Sequence, residues 1–283
     1  MEPLRAESPE CRTWAEAWHA ARARTALESN LSRSGIAEEE FWSRYATWVE
    51  AMQGDYPGAL LGLVGAHVRT GDAVLDIGAG AGLFALPLAA TARLVTAVEP
   101  SPIQVSRLRQ EIERHEVRNV AVIESRWEDV DIETLEHHDI VVAVHSLQMR
   151  DIADALRKMC RAATSRVLLV HSAGHSLSGI LHELFGIEKG PDYTYLQYIL
   201  HGLGYEARVE FAEQSCDVPL DTQLDNFHYN PGLDEVQCAT LREHVVARGL
   251  TTMRDGTTWL RRSHRDALLL VTARNTHGKE RME

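Results

Sequence analysis

The chain lacks several features that would place it in a class at once. Its four cysteines, Cys11, Cys160, Cys216 and Cys238, are scattered and form no C-x-x-C pair. That argues against a disulfide framework or a thiolate metal site and fits free thiols in a reducing cytosol. No apolar run approaches the roughly 20 residues of a membrane span. The first ten residues, MEPLRAESPE, lack the basic-then-apolar order of a secretory signal. The expected location is cytoplasmic, with no membrane partner. Basic residues are in deficit, with 29 Lys and Arg against 41 Asp and Glu and a formal net charge of -12. Such a field disfavours nucleic acid as a partner. The bases between Arg107 and Arg118 are interleaved with Glu111, Glu113 and Glu116, as on a solvated helix face. Internal repeats and low-complexity tracts are absent too.

What is present is a chain of 283 residues, 45% hydrophobic and 25% charged, enough for one large domain or a domain with an elaborated lid. Three regions differ in character. Residues 1–68 read as a helical N-terminal cap. Thr13 and Glu16 have capping-box spacing, and Phe41, Trp42, Tyr45, Trp48, Val49 and Met52 share one stripe of a helix over 37–52. "GDYPG" at 54–58 breaks the chain, and a third helix is expected over 58–68. Residues 69–213 alternate short β-branched runs with helical stretches. Strands are expected at 73–77, 94–99, 119–125, 139–146, 166–172 and 206–213, and helices at 82–91, 102–115, 151–163 and 192–202. Continuously apolar strands separated by helices imply an α/β, doubly wound, mostly parallel sheet covered on both faces. Residues 214–283 read as a C-terminal extension with a polar loop, a helix near 234–248, and a last strand in "DALLLVTAR", at the edge or in the interior, to make seven.

The first strand runs into "VLDIGAGAG", Val74 to Gly82. A strand that ends in glycines and opens a helix lies at the carboxyl edge of such a sheet, where ligands bind. A triphosphate loop would need a lysine after the glycines, and none follows. A dinucleotide fingerprint would need a glycine at 83, where Leu83 stands. Asp76 would also repel a pyrophosphate, whereas it suits a ligand with a cationic amine or the capping of the next helix.

The D-x-G-x-G-x-G pattern of Asp76, Gly78, Gly80 and Gly82 resembles the S-adenosylmethionine site of class I, Rossmann-like methyltransferases. The resemblance covers about residues 70–213. It implies S-adenosylmethionine as cofactor and Glu99, at the end of the second strand, as acceptor for the ribose hydroxyls. In "ESRWEDV" it implies Glu128 near the adenine amino group. It places Trp127 against the ring, although an ordinary core aromatic is an equal reading. "HSLQM" (145–149) falls where the family faces the methyl donor, which brings in His145. Tyr45 joins the cofactor residues if the N-terminal helices form a lid. The same aromatic stripe would also suit a homodimer interface.

For the acceptor the residues are less explicit. His145 and His171, at the ends of the fourth and fifth strands, are the candidate bases, with His175 beyond them. His171, His175, His182 and Glu183 would make a metal site only if a strand end and a helix converged, so none is expected. Acidic charge and a cap favour a small-molecule acceptor. A protein or tRNA acceptor on the same fold is the alternative, and a non-catalytic S-adenosylmethionine-binding regulator is a further one. "VHSLQM" also differs from the N-P-P-Y type of motif that serves methylation of exocyclic amines in DNA bases.

Overall fold

A computed structural model describes residues 8–25, 35–54 and 57–273. Asp55 and Tyr56 of the expected chain break lie outside the described residues, as do 274–283. The first helix, α1 (Pro9–Thr25), starts four residues before the predicted cap. The Ser8 hydroxyl accepts from the Cys11 N–H at 3.0 Å, and Thr13 lies inside the helix, donating to the Pro9 carbonyl. Helix α2 (Glu38–Ala51) follows, then β1 (Gln53–Gly54) and α3 (Gly58–Gly65), which is shorter than expected.

The parallel core comprises β2 (Ala73–Ile77), β3 (Leu94–Glu99), β4 (Val120–Glu124), β5 (His138–Val144) and β6 (Ala163–His175). Between them run α4 (Ala85–Ala89), α5 (Pro102–Arg114) and α6 (Ile152–Ala162). Then come α7 (Ser178–Phe185), α8 (Tyr193–Gly202), β7 (Ala207–Pro219), α9 (Leu220–Tyr229) and α10 (Glu235–Ala247). The chain closes with β8 (Thr251–Arg254) and β9 (Thr257–Thr272). Strand order across the sheet is β1-β7-β9-β6-β5-β2-β3-β4, with β8 paired to β9. The doubly wound expectation holds, with nine strands among the described residues rather than seven. The extra two are β1, laid antiparallel on β7, and β8, joined to β9 through the Asp255-Gly256 hairpin turn.

The last expected strand proves to be interior: residues 266–272 of "DALLLVTAR" belong to β9, which runs antiparallel between β6 and β7, and Arg274 lies outside the described residues. The expected polar loop after 213 is instead the second half of β7, where Ala212, Gln214, Cys216 and Val218 are buried at period two. Helix α9 was not foreseen.

Strand alternation sends side chains to two cores. Val74 joins Leu60, Val64 and Leu108 under α3 and α5. Leu75 and Ile77 join Leu156, Met159, Ile199 and Trp18 under α6, α8 and α1. A third cluster gathers Leu181, Leu224, Phe227 and Val245 from α7, α9 and α10. Helix α1 docks closely on α8: a Cβ on Gly202 would lie 2.6 Å from that of Cys11, and Trp14 stacks on Tyr198 at 4.4 Å. No helix among the described residues is long and apolar enough to cross a membrane.

Candidate active site

Strand β2 is buried along its whole length and stops at Ile77, because Gly78, at φ 71°, turns the chain away. A Cβ at Gly78 would sit 2.2 Å from that of Ser146, so this turn and the segment after β5 touch. Gly80 has φ 56° with open space where a Cβ would be, and its N–H donates to the Glu99 carboxylate at 2.9 Å. Gly82 closes the turn on the Ala79 carbonyl. The other Glu99 oxygen accepts from the Ser101 N–H at 2.8 Å. Burial pushes the Glu99 pKa up, and these two backbone donors oppose it.

Asp76 is 2% exposed, and its Oδ2 has no hydrogen-bond partner. Burial, with the nearby Glu99 adding to it, pushes its pKa up to about 7. A buried carboxylate that ionises this reluctantly favours a cation as its missing partner, and a phosphate would instead meet two acids. The turn therefore fits the amino-acid-bearing nucleoside that the resemblance implies.

After β4, Trp127 takes the core position, one of its two readings. Trp127 is 2% exposed within the core, its indole N–H donates to the Ala155 carbonyl at 3.2 Å, and Lys158 lies 4.6 Å from its ring. It is a packing element under α6, not a platform for adenine. Glu128 is exposed and accepts from the Arg150 N–H at 3.3 Å.

A cavity of about 500 Å³ opens beyond the ends of β5 and β6, roofed by α1, α2 and α9. His145, His171, His175, Tyr45 and Trp18 all line it, whereas Asp76 and Glu99 do not. Tyr45 thus belongs to the cavity rather than to the glycine turn. It sits in the aromatic row of α2, 5.7 Å from Trp42 and 5.4 Å from Trp48, and burial raises its pKa. His145 holds φ 53°, rare for a residue with a side chain, and its Nε2 lies 3.3 Å from Asp266 Oδ1. Asp266 is 1% exposed on β9, where Gln214 donates to its Oδ2 at 2.6 Å and His264 Nε2 lies 3.5 Å away. Burial works against its charge, but His145, His264 and Gln214 together hold its pKa below the usual carboxylate value. His171 donates from Nε2 to the Pro191 carbonyl at 2.9 Å, leaving Nδ1 buried without a hydrogen bond. Burial, helped by His145, lowers its pKa to about 4; burial with Arg262 nearby does the same for His175.

The four residues weighed as metal ligands do not converge. His182 faces the Ile187 carbonyl and Glu183 pairs with Arg248. Among the described residues no three acidic, histidine or cysteine side chains are arranged to hold a metal. Sequence reasoning missed Arg262, which lines the cavity, and Asp266, His264 and Gln214, which stand behind His145 on β7 and β9.

Comparison with known proteins agrees with this geometry. The sequence profile described as a methyltransferase domain matches residues 74–165. An uncharacterized protein of Haemophilus influenzae is 32% identical over 150 residues. That match covers 52% of this chain and 56% of the relative, so the chain spans just over half of that protein's length. Among solved structures, the YcgJ protein of Bacillus subtilis superposes with a TM-score of 0.55 at 19% identity, over 76% of this chain and 97% of that one. A protein assigned as a type II methyltransferase from Anaeromyxobacter dehalogenans gives 0.55 at 18%, over 78% and 98%. Residues 74–165 match a methyltransferase domain, and the chain shares the fold of these two solved structures.

Proposed function

We propose that the chain transfers a methyl group from S-adenosylmethionine to a small molecule held in the cavity. One observation carries this reading. The segment after β5 belongs to both places at once: Ser146 packs on Gly78 of the turn, while its neighbours His145 and Leu147 line the cavity.

S-adenosylmethionine, when bound, supplies an electrophilic methyl on a sulfonium. Asp76 would take its ammonium and Glu99 its ribose hydroxyls. His145 is the base for an acceptor that must lose a proton. An ionised Asp266, 3.3 Å from Nε2, would favour the proton there and leave Nδ1 to accept one. His171 is the weaker candidate: burial has made it a poor base, and Nε2 is already committed to Pro191. It serves as a neutral wall with an acceptor nitrogen.

Calorimetric titration with S-adenosylmethionine, then transfer of labelled methyl to size-separated cell extract, tests this. Binding and label in the small-molecule fraction are expected. Label in protein or RNA would replace the acceptor class, and binding with no product in any fraction would leave a regulator.

A further inference from the structure

We propose that the acceptor is a phenol: an uncharged, flat aromatic ring whose hydroxyl oxygen takes the methyl group while its proton passes to His145. This names the substrate class of the methyltransferase reading and rests on it, whereas the preference for a flat ring rests on the cavity alone.

Two kinds of side chain make the cavity. The first kind is aromatic. Tyr45 and Trp48 come from α2, Phe227 from α9 and Trp18 from α1. Tyr45 sits in a packed row, stacked on Phe41 at 6.1 Å and 5.4 Å from Trp48. The Trp48 indole N–H donates to Gln223 Oε1 at 3.2 Å, so what it offers the cavity is apolar ring. Rings held by neighbours keep one orientation, and a flat ring packs on them better than a puckered one.

The second kind is imidazole. The backbone N–H of His145 donates to the Val170 carbonyl at 3.1 Å, so His145 and His171 stand at adjacent strand ends, with His175 further along β6. Burial keeps His171 and His175 uncharged at neutral pH. The arginines and acids of the lining are engaged with the protein itself. Arg22 donates to the Met149 carbonyl at 3.4 Å, and Arg262 lies over Trp48, 4.9 Å from its ring centroid. Glu188 holds Arg24 at 2.8 Å, and Asp192 caps α8. Lys189 is exposed. Recognition therefore falls to rings and neutral imidazoles, which suit an uncharged aromatic molecule. Size agrees: a cavity of about 150 Å³ holds benzene, and the 500 Å³ here leaves room for one or two rings with their substituents.

The base selects the hydroxyl. A free imidazole ionises near about 6.5 and a phenol near about 10, while an aliphatic alcohol lies close to water at about 15.7. Proton transfer to an imidazole is thus uphill by about 3.5 pKa units from a phenol and by about 9 from an alcohol. The phenol gives its proton to His145 Nδ1. Its oxygen uses a lone pair to bond the methyl carbon, and the pair of the broken carbon–sulfur bond stays on sulfur. The products are an aryl methyl ether and S-adenosylhomocysteine.

The test uses the full chain and two matched pairs of probes, phenol with cyclohexanol and 2-naphthol with decahydro-2-naphthol. Each pair shares one carbon frame, flat in the phenol and puckered in the alcohol. By calorimetry, at least one phenol is expected to bind about tenfold or more tighter than its saturated partner. With S-adenosylmethionine present, that phenol should give its methyl ether. Tyr45→Leu should erase the preference and Tyr45→Phe should keep most of it. Equal binding within both pairs, no binding of either phenol, or a preference that survives Tyr45→Leu would overturn the proposal. So would the absence of ether from a bound phenol while S-adenosylmethionine is also bound. Selectivity of the wild-type chain decides even where a variant folds poorly. Titration with S-adenosylmethionine alone separates the two readings. A flat-ring preference without cofactor binding would sink the methyltransferase reading and leave the aromatic cavity standing. Cofactor binding without the preference would sink only the phenol.

Discussion

Replacing Asp76 by asparagine should push stability and ligand affinity in opposite directions. In the ligand-free protein the carboxyl has its pKa raised from 3.8 to about 7, mainly by burial. At about 1.36 kcal/mol per unit, ionising it in the folded state costs about 4 kcal/mol. The sign follows from proton counting. Between the two pKa values the folded state holds a proton that the unfolded state has lost, so stability falls as pH rises through that window and is level above it. Asparagine has the same shape and no charge to bury. At pH 8.5 Asp76→Asn should therefore be more stable than the wild type by up to about 4 kcal/mol, and the gap should shrink towards pH 4. With about 2–4 °C of midpoint per kcal/mol for a domain of this size, a rise near 10 °C is expected. The same change removes the partner of a cationic amine. A charge-assisted hydrogen bond contributes about 1.5–3 kcal/mol, so S-adenosylmethionine should bind roughly 10- to 100-fold more weakly. Scanning fluorimetry at pH 4, 6 and 8.5, with and without S-adenosylmethionine, reads both effects. A variant destabilised at pH 8.5 with unchanged affinity would refute the account of this carboxylate.

Three more outcomes are expected. His145→Ala should lower kcat by about 100-fold or more, the scale of a lost general base, while calorimetry shows the S-adenosylmethionine Kd unmoved; unchanged turnover would remove the base from the mechanism. Gly78→Ala drives a Cβ to 2.2 Å from Ser146, whereas at Gly80 the space is open. Urea denaturation should show a cost of about 3 kcal/mol or more at 78 and only about 1 kcal/mol at 80, backbone strain alone. His171 and His175 have pKa values lowered to about 4 by burial, so their contribution is present above the unfolded value of 6.5 and lost as pH falls towards 4. After allowance for their partial exposure this is about 2 kcal/mol each. His171→Phe should flatten the fall in denaturant midpoint between pH 7 and pH 5.

The glycine turn and its two acids were legible because their meaning is local. Asp76, Gly78 and Gly80 lie within five residues, and Glu99 sits one strand away in parallel register. The second half of the site depends on pairing between distant residues. Asp266 stands opposite both Ser172 and Ala212, and no spacing along the chain announces that. Polar residues hid the strands that carry it: Gln214 and Asp217 make the end of β7 read as loop, although every second residue there is buried. Trp127 shows the other limit. An aromatic after a strand can face a ligand or a helix, and its indole was settled by the Ala155 carbonyl, 28 residues on.

The position of β9 has a consequence for how the molecule is made. It is the last strand among the described residues, yet it lies inside the sheet, between β6 and β7. Until β9 is in place, Val167–Val170 and Val209–Phe211 face each other across a gap, each an open hydrogen-bonding edge. A nascent chain halted before about residue 260 would hold the glycine turn's residues and lack Arg262 of the cavity and Asp266 behind His145. It would also expose the strand edges on which chains aggregate. Insertion of β9 is thus the step that both closes the sheet and delivers Arg262 and Asp266, so a product truncated before it should be insoluble rather than partly active.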